Sequence, residues 1–233
     1  MTSTTVEQLN KQVNTVTTRN LILDRNKIDD DKKSFLIVKR ITDILLSVIG
    51  MIVLSPVFII TALVVFFECP KASPIFVQDR IGKDGKRFRF YKFRSMIPGA
   101  EDKLEDLLHH NEMDGHAFKI KNDPRITKVG KFLRKTSIDE LPQLFNVLKG
   151  DMSIVGPRPP LPREVKHYDD YELQRLYVTP GLTCYWQTTP NRNDMTFDEW
   201  LKMDLEYIED RSLKTDFNII LSTFIAIVGM NGV

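Results

Sequence analysis

The most pronounced pattern in the chain is an apolar stretch over residues 44–67, where 24 consecutive residues carry no charge and nearly all are aliphatic or aromatic. As a helix, this stretch would be about 36 Å long, which is enough to cross a bilayer core of ~30 Å. A buried helix of a soluble protein is the alternative, but such helices rarely stay apolar on every face over this length. The pattern therefore predicts a single apolar helix that inserts into a membrane.

Ser55 and Pro56 interrupt this stretch near its middle. Proline kinks or breaks a helix because it lacks a backbone donor and clashes with the preceding turn. The segment is then either a kinked helix that spans the bilayer or a re-entrant helix that enters and leaves on the same face. Basic residues flank it on both sides, and their tendency to stay in the cytoplasm favours the re-entrant path, although long domains escape this rule. These basic residues are Lys32, Lys33, Lys39 and Arg40 before the segment and Lys71, Arg80, Lys83, Lys86, Arg87 and Arg89 after it.

Periodicity elsewhere predicts an α+β fold that is mostly helical. Residues 1–33 are polar and predict a flexible arm, and residues 74–96 predict a small β-hairpin with turn residues at 82–85. Amphipathic spacing predicts short helices over residues 100–110 and 200–208. The apolar stretch 217–230 predicts either a buried helix or one that lies at the membrane interface. We therefore divide the chain into an arm (1–33), an apolar membrane segment (34–68) and a remaining domain (69–233).

The amino-acid composition limits which classes of partner and which cellular compartment are expected. The 33 basic and 31 acidic residues nearly balance, so overall charge gives no reason to expect a nucleic-acid partner. The two cysteines, Cys69 and Cys184, lie far apart and have no His or Cys at metal-ligand spacing. This pattern argues against a disulfide scaffold or a structural zinc site and favours a reducing, cytoplasmic environment.

An adjacent pair of acids, Asp139 and Glu140, is the first candidate for chemistry. Ser137 and Glu140 have the spacing of a capping box, so the segment could simply begin a helix. An aspartate in the first turn would nonetheless lie in the positive field of the helix N-terminus, which keeps it ionised and attracts phosphate. Adjacent carboxylates beside a diphosphate also suit magnesium.

Basic residues form the second group of candidates. Lys92 and Arg94 lie in the return strand of the predicted hairpin, and Arg134 precedes the acid pair by five residues. Arg158 lies between prolines, which fix its backbone and suit it to bidentate phosphate recognition. Residues 157–162 could alternatively be a polyproline ligand for another protein.

Later in the chain, Trp186, Arg192 and Asp204 are weaker candidates. Core packing is the ordinary role of a tryptophan such as Trp186. An aspartate on a helix, as predicted for Asp204, is more often a surface residue than a ligand.

Several strings, taken in order, resemble one family closely: the bacterial sugar transferases, which are monotopic polyprenyl-phosphate phosphoglycosyl transferases. The resemblance covers roughly residues 35–230. The strings are KRITD (39–43), QDRIG (78–82), YKFRSM (91–96), DPRIT (123–127), LRKTSIDELPQL (133–144), GDMSIVGPRP (150–159) and PGLT (180–183).

The resemblance implies a re-entrant membrane helix broken at Ser55-Pro56 and interfacial helices around an active site at the membrane surface. It implies that Asp139 is the nucleophile and that Glu140 helps to hold Mg²⁺. The positions of Lys92, Arg134 and Arg158 resemble phosphate and nucleotide contacts of the family. Arg94 lies in the same string as Lys92, and Asp204 matches a late acidic position, so we include both as substrate-binding candidates.

The implied reaction moves a sugar-1-phosphate from a UDP-sugar to undecaprenyl phosphate and releases UMP, through an aspartyl-phosphosugar intermediate. It would initiate capsule, exopolysaccharide or O-antigen assembly on the cytoplasmic face of the bacterial inner membrane. The chain looks like the minimal form of the family. The resemblance does not determine whether the protein forms a homo-oligomer. The chain departs from the family at Cys184, where a glycine is common, and at Pro190, which leaves the sugar undetermined.

Two other functions compete with this interpretation. A lipid-linked glycosyltransferase would transfer the sugar alone and release UDP, but no nucleotide-binding alternation of strands and helices is visible. A membrane-anchored adaptor would use residues 157–162 and the basic hairpin to recruit partners or anionic lipid.

Overall fold

The computed structural model of the protein describes residues 21–118, 120, 122–189 and 195–228. The fold is α+β and mostly helical, as predicted. Thirteen regular helices and strands occur in the described residues. They are α1 (Lys33–Val53), α2 (Ser55–Glu68), β1 (Ile75–Ile81), β2 (Arg87–Phe93), α3 (Leu104–Leu107), α4 (Lys128–Lys135), α5 (Gln143–Lys149), β3 (Ser153–Val155), α6 (Pro162–Val165), α7 (Asp170–Leu173), β4 (Gly181–Thr183), α8 (Phe197–Asp210) and α9 (Leu213–Val228).

The apolar segment is a bent helix pair, with its break beside the predicted Ser-Pro dipeptide. Helices α1 and α2 meet at Leu54 and are bent by 63°. Ser55 Oγ donates to the carbonyl of Ile52 at 2.8 Å, and Pro56 lies in the first turn of α2, where its missing N–H removes no helical bond. No single described helix is long and apolar enough to cross a bilayer, whereas this pair satisfies both criteria together.

Polar residues on the bent pair face the protein, and aliphatic residues face outward. The buried side chains are Asp43 and Ser47 on α1 and Thr61 and Val65 on α2. Many exposed side chains on both helices are large and apolar, such as Ile52 at 68% and Phe67 at 74% exposure. This distribution is the reverse of a water-soluble helix and is typical of a helix surrounded by lipid.

Three charged residues of the KRITD string fasten α1 to the rest of the protein. Arg40 donates to the carbonyls of Val147 and Leu148 at 2.7 and 2.8 Å, which satisfies the C-terminal end of α5. Asp43 Oδ1 accepts from the N–H of Ile154 at 2.9 Å. In addition, Lys39 pairs with Asp216 of α9 at 2.6 Å. The string therefore fixes where the apolar helix emerges from the domain.

The predicted β-hairpin is present. Strands β1 and β2 pair antiparallel, from Ile75 opposite Phe93 to Ile81 opposite Arg87. The turn between them contains Asp84 and Gly85 with φ of 57° and 74°, the left-handed region that such turns require. The hairpin places Lys92 near the end of β2, next to the buried Phe93.

A second, parallel pair of short strands was not predicted. Strands β3 and β4 pair through Ser153 opposite Gly181 and Val155 opposite Thr183. Gly181 is required there because a Cβ would lie 2.1 Å from the backbone nitrogen of Gly156. The pair supports residues 157–160, because the N–H of Gly181 donates to the carbonyl of Pro157 at 2.9 Å.

Helices α8 and α9 close the fold, and α8 is longer than the predicted 200–208. Thr196 and Glu199 form a capping box at its start, and Leu201, Leu205 and Ile208 are fully buried. Helix α9 packs one side inward through Ile219, which is 2% exposed. Its opposite side exposes Phe217, Leu221, Phe224 and Ile225.

Two other predicted segments differ from the structure. The amphipathic stretch 100–110 forms only α3 and a three-residue 3-10 turn. Within the predicted flexible arm, residues 1–20 lie outside the described residues. Residues 21–32 are packed against the domain, where Leu23 donates its N–H to Gln174 at 2.6 Å and Lys83 pairs with Asp29 at 2.5 Å.

Candidate active site

A cavity of about 260 Å³ gathers most of the predicted site residues. Its wall is formed by the end of β2, the loop before α4, α4 with the turn that follows it, residues 158–160, the loop after β4 and the start of α8. Five of the seven predicted catalytic and substrate-binding residues line it: Lys92, Arg134, Asp139, Glu140 and Arg158. The lining also includes Asp123, Arg125, Glu164, Arg175, Trp186 and Trp200.

Asp139 lies in a three-residue 3-10 turn, Ile138–Glu140, and not in the first turn of an α-helix. The predicted capping box at Ser137 is wrong: Ser137 is left-handed, with φ of 55°, and its side chain makes no capping hydrogen bond. The α-helix begins only at Gln143, after Pro142. The helix-dipole argument for an ionised Asp139 therefore fails, and neighbouring cations must supply the stabilisation.

Burial and neighbouring positive charges have opposite effects on the pKa of Asp139. Its side chain is only 6% exposed, and burial raises the pKa of the carboxyl above its usual value, although Lys92 and Arg134 oppose this shift. Burial together with Arg134 lowers the pKa of Lys92 to about 8, although Asp139 opposes this shift. The carboxylate and the ammonium thus depend on each other for their charges.

Arg134 reaches the cavity because α4 packs unusually close to the end of the hairpin. Gly130 allows this approach, since a Cβ there would lie 2.0 Å from the carbonyl oxygen of Ser95. One turn later, Arg134 Nε donates to Ser95 Oγ at 3.0 Å. This hydrogen bond fixes the guanidinium on the same side as Asp139.

The proline-rich loop holds Arg158 toward the cavity. Pro157, Pro159 and Pro160 are buried, and Arg158 is exposed between them. The loop carbonyls accept hydrogen bonds from the protein: Pro159 from Arg80 at 2.9 Å and Pro160 from the N–H of Ile81 at 3.0 Å. Three of the four prolines in residues 157–162 are therefore not available to a partner, which argues against the polyproline-ligand alternative.

Asp204 lies behind the cavity and does not line it. Its side chain is 1% exposed and forms an ion pair with Arg175. Burial raises the pKa of Asp204 to about 6, and Arg175 opposes this shift. Arg175 itself lines the cavity and donates to Tyr168 Oη at 3.0 Å and to the carbonyl of Arg158 at 3.4 Å. Asp204 is therefore connected to the cavity through Arg175, a residue that sequence reasoning missed because no local pattern marks it.

Arg94 does not line the cavity. Its Nε donates to the carbonyl of Ser73 at 2.8 Å, and its guanidinium lies 5.7 Å from the ring centre of Phe76. The Lys92 ammonium lies 5.4 Å from the same ring, but Lys92 also lines the cavity. The position of Arg94 gives no support to its predicted role in substrate binding.

The acidic residues of the cavity limit where a metal ion could bind. Asp123 is held by Arg125 through two bonds of 2.9 and 2.6 Å, and Glu164 accepts from the N–H of Leu161. Among the described residues, no three His, Cys, Asp or Glu side chains converge as a metal site. Asp139 and Glu140 remain as adjacent carboxylates, which fits magnesium because this ion commonly takes one or two carboxylates plus substrate phosphates.

Cys184 is buried and packs against Trp186 and Trp200, whose rings stack at 4.3 Å. Burial raises the pKa of its thiol well above the usual value. The cysteine thus supports the aromatic wall of the cavity and does not itself line it. Arg192 and Pro190, also noted in the sequence, lie outside the described residues.

Comparison with known proteins gives a consistent result. The profile of one family, described as bacterial sugar transferase, matches residues 34–230. The chain is 50% identical over 192 residues to the galactosyl transferase CpsE of Streptococcus agalactiae, covering 82% of this chain and 42% of that protein. It is 41% identical over 208 residues to the undecaprenyl-phosphate galactose phosphotransferase of Salmonella typhimurium, covering 86% of this chain and 42% of that protein.

A shorter relative is matched over most of its length. The exopolysaccharide production protein ExoY of Rhizobium meliloti is 38% identical over 194 residues, covering 81% of this chain and 84% of that protein. The chain thus spans about two fifths of the length of the first two relatives and most of the third.

Proposed function

Because the chain belongs to the bacterial sugar transferase family, we propose that it transfers a sugar-1-phosphate from a UDP-sugar to undecaprenyl phosphate and releases UMP. The observation that carries this proposal is the buried carboxylate of Asp139 between Lys92 and Arg134, in a cavity that Arg158 also lines. Lys92 and Arg134 oppose the effect of burial and favour the ionised carboxylate, which is the form that attacks phosphorus, and both cations suit a diphosphate.

In the first step, an Asp139 oxygen forms a bond to the sugar-proximal phosphorus of the UDP-sugar. The bond between that phosphorus and the bridging diphosphate oxygen breaks, and UMP leaves with the electron pair. The donor's sugar phosphate is then held as an acyl phosphate on Asp139. Lys92 and Arg134 balance the charge that spreads over the phosphoryl oxygens.

In the second step, a phosphate oxygen of undecaprenyl phosphate attacks the same phosphorus. The bond to the aspartate oxygen breaks, the Asp139 carboxylate is regenerated, and undecaprenyl-diphosphate-sugar is released. Two displacements at one phosphorus split one difficult reaction into two easier ones. Glu140 would help to hold Mg²⁺, which neutralises phosphate charge when it is bound.

The bent helix pair supports a site at the membrane surface. We propose that α1 and α2 enter and leave the inner membrane on its cytoplasmic side, with the break at Ser55-Pro56 at the deepest point. The outward-facing aliphatic residues would contact lipid, and Lys39, Arg40 and Asp43 would hold the domain at the surface. A UDP-sugar in the cytoplasm and an acceptor in the bilayer would then meet at Asp139. The product would begin a surface polysaccharide.

The relatives' names differ on the group that is transferred, since one names a galactosyl transferase and the other a galactose phosphotransferase. The nucleotide product decides between these reactions. The test incubates the purified protein in detergent with undecaprenyl phosphate, magnesium and a panel of UDP-sugars. UMP from one donor would support the proposal and identify the sugar, whereas UDP would contradict it. If no donor releases a nucleotide, the result would favour the adaptor alternative.

A further inference from the structure

A second, apolar cavity of about 160 Å³ adjoins the candidate active site. The two cavities share Ser137, Glu140 and Gln187 in their walls. Beyond these three residues, the lining comes from β3, β4, α9 and Leu141. It consists of Leu141, Ile154, Leu182, Thr183, Ile220, Thr223, Ala226 and Ile227.

The two threonines add little polarity to this lining. Thr183 Oγ1 and Thr223 Oγ1 lie 2.6 Å apart in one hydrogen bond, and the Thr223 hydroxyl also donates to the carbonyl of Ile219 at 2.7 Å. Their hydroxyls are therefore used within the protein. Because no charged side chain lines this cavity apart from the shared Glu140, it suits a hydrocarbon and not a nucleotide or a sugar.

Helix α9 connects the apolar cavity with the outer apolar surface. Ile220, Thr223 and Ala226 line the cavity, while Phe217, Leu221 and Phe224 on the other side of α9 are exposed. The start of α9 is fastened to α1 by the ion pair of Lys39 and Asp216. The cavity thus lies between the cationic cavity and a helix whose outer face exposes large apolar side chains.

We propose that this cavity holds the first isoprene units of the polyprenyl phosphate acceptor, with its phosphate at Asp139 and its tail along α9. The inference rests on the proposed function. An amphiphile with an anionic head and a hydrocarbon tail matches a cationic cavity that continues into an apolar one. A UDP-sugar is polar throughout and gains nothing from such a lining.

The test fills the cavity from α9 with Ala226→Leu and Ala226→Phe. The first half-reaction is measured without acceptor, as the exchange of labelled UMP into UDP-sugar. The complete reaction is measured against the concentration of undecaprenyl phosphate. We expect exchange to stay within about twofold, while KM for undecaprenyl phosphate rises several-fold with leucine and about tenfold or more with phenylalanine. Leu221→Phe, on the exposed side of the same helix, is the matched control and should change neither quantity.

Each other outcome contradicts the inference. An unchanged KM in both Ala226 variants would place the acceptor tail elsewhere. A parallel loss of exchange would assign the cavity to the donor or to the fold, and thermal unfolding of the variants separates these two. If the wild-type protein shows no exchange at all, the proposed covalent reaction fails first and the inference fails with it.

A photoreactive polyprenyl phosphate, with a diazirine on its first isoprene units, supplies a readout that needs no turnover. Cross-linking to the peptide that contains Ile220 and Ala226 is expected, and undecaprenyl phosphate should compete with it. Labelling confined to α1 or α2 would overturn the assignment.

Discussion

The two adjoining cavities share three wall residues and differ in nearly everything else. One is lined by five basic residues and four acids, and the basic residues are Lys92, Arg125, Arg134, Arg158 and Arg175. The other is lined by aliphatic side chains and two threonines that bond to each other. A single turn, residues 137–141, contributes to both walls. The difference shows how one short segment can place a reactive carboxylate where a polar compartment meets an apolar one.

Charge behaves differently in the two compartments. In the polar cavity, Asp139 is buried, yet Lys92 and Arg134 favour its ionised form. The apolar cavity has no cation in its lining, so a carboxylate displaced toward it would bind a proton instead. The comparison therefore predicts that changes in the polar cavity act on chemistry and that changes in the apolar cavity act on acceptor affinity.

The largest effect is expected from Asp139→Asn. The amide keeps the shape of the side chain and loses the nucleophile, so UMP exchange and full turnover should both fall by about 10⁴-fold or more. Circular dichroism and thermal unfolding should verify that the variant is folded, because the Lys92 ammonium loses the carboxylate that favours its charged form. An Asn variant with more than a small fraction of the activity would remove Asp139 from the nucleophile's role.

A smaller effect is expected from Arg134→Ala, compared with Arg94→Ala as the matched control. Arg134 faces Asp139, whereas Arg94 is bonded to Ser73 outside the cavity. Removing Arg134 should lower kcat/KM by about 10²- to 10³-fold, since it loses stabilisation of charge in the transition state. Arg94→Ala should change kcat/KM by less than about threefold. If both variants lose the same factor in kcat/KM, this result would contradict the expectation that only the arginine lining the cavity contributes to the reaction.

The buried pair behind the polar cavity is expected to act by positioning. Asp204→Ala leaves the Arg175 charge unpaired, and the free energy of unfolding should fall by about 3 kcal/mol. The double variant Asp204→Leu with Arg175→Met should recover most of this stability. It should still show about tenfold lower kcat/KM, because the carbonyl of Arg158 loses its donor. Full recovery of activity in the double variant would assign the pair to stability alone.

The smallest effect at neutral pH is expected from Lys92→Arg, and it should appear mainly in the pH dependence of kcat/KM. With a pKa of about 8, Lys92 is charged below that pH and loses its proton above it. The kcat/KM of the unchanged protein should therefore decline as pH rises through about 8. Lys92→Arg keeps its charge, so the decline should move to higher pH, with only a few-fold loss at pH 7. A decline at the same pH in both proteins would assign it to another group.

The sequence predicted many of the site residues, but not the contacts between distant segments that bring them together. The apolar stretch and the Ser55-Pro56 break were readable because composition and proline act locally. The hairpin was readable from its turn residues, and it carries Lys92 to the cavity. The capping box at Ser137 failed because a backbone with positive φ and the following Pro142 delay the helix.

What the sequence did not reveal depends on contacts between distant segments. Strands β3 and β4 are only three residues each, too short to give an alternating pattern. Asp204 meets Arg175 across 29 positions, and no local window contains both. Arg94 was included because it lies in the same string as Lys92, and its hydrogen bond to Ser73, 21 positions away, could not be predicted from the string.

The most direct test of the account is to look for the sugar phosphate on Asp139. The protein is incubated with magnesium and its UDP-sugar donor, labelled at the sugar-proximal phosphate, in the absence of undecaprenyl phosphate. The account predicts one equivalent of released UMP, a protein mass increased by one phosphosugar, and the modification on Asp139 in the digested peptide. Later addition of undecaprenyl phosphate should remove the label from the protein. Full turnover to undecaprenyl-diphosphate-sugar without protein labelling or UMP exchange would contradict the account.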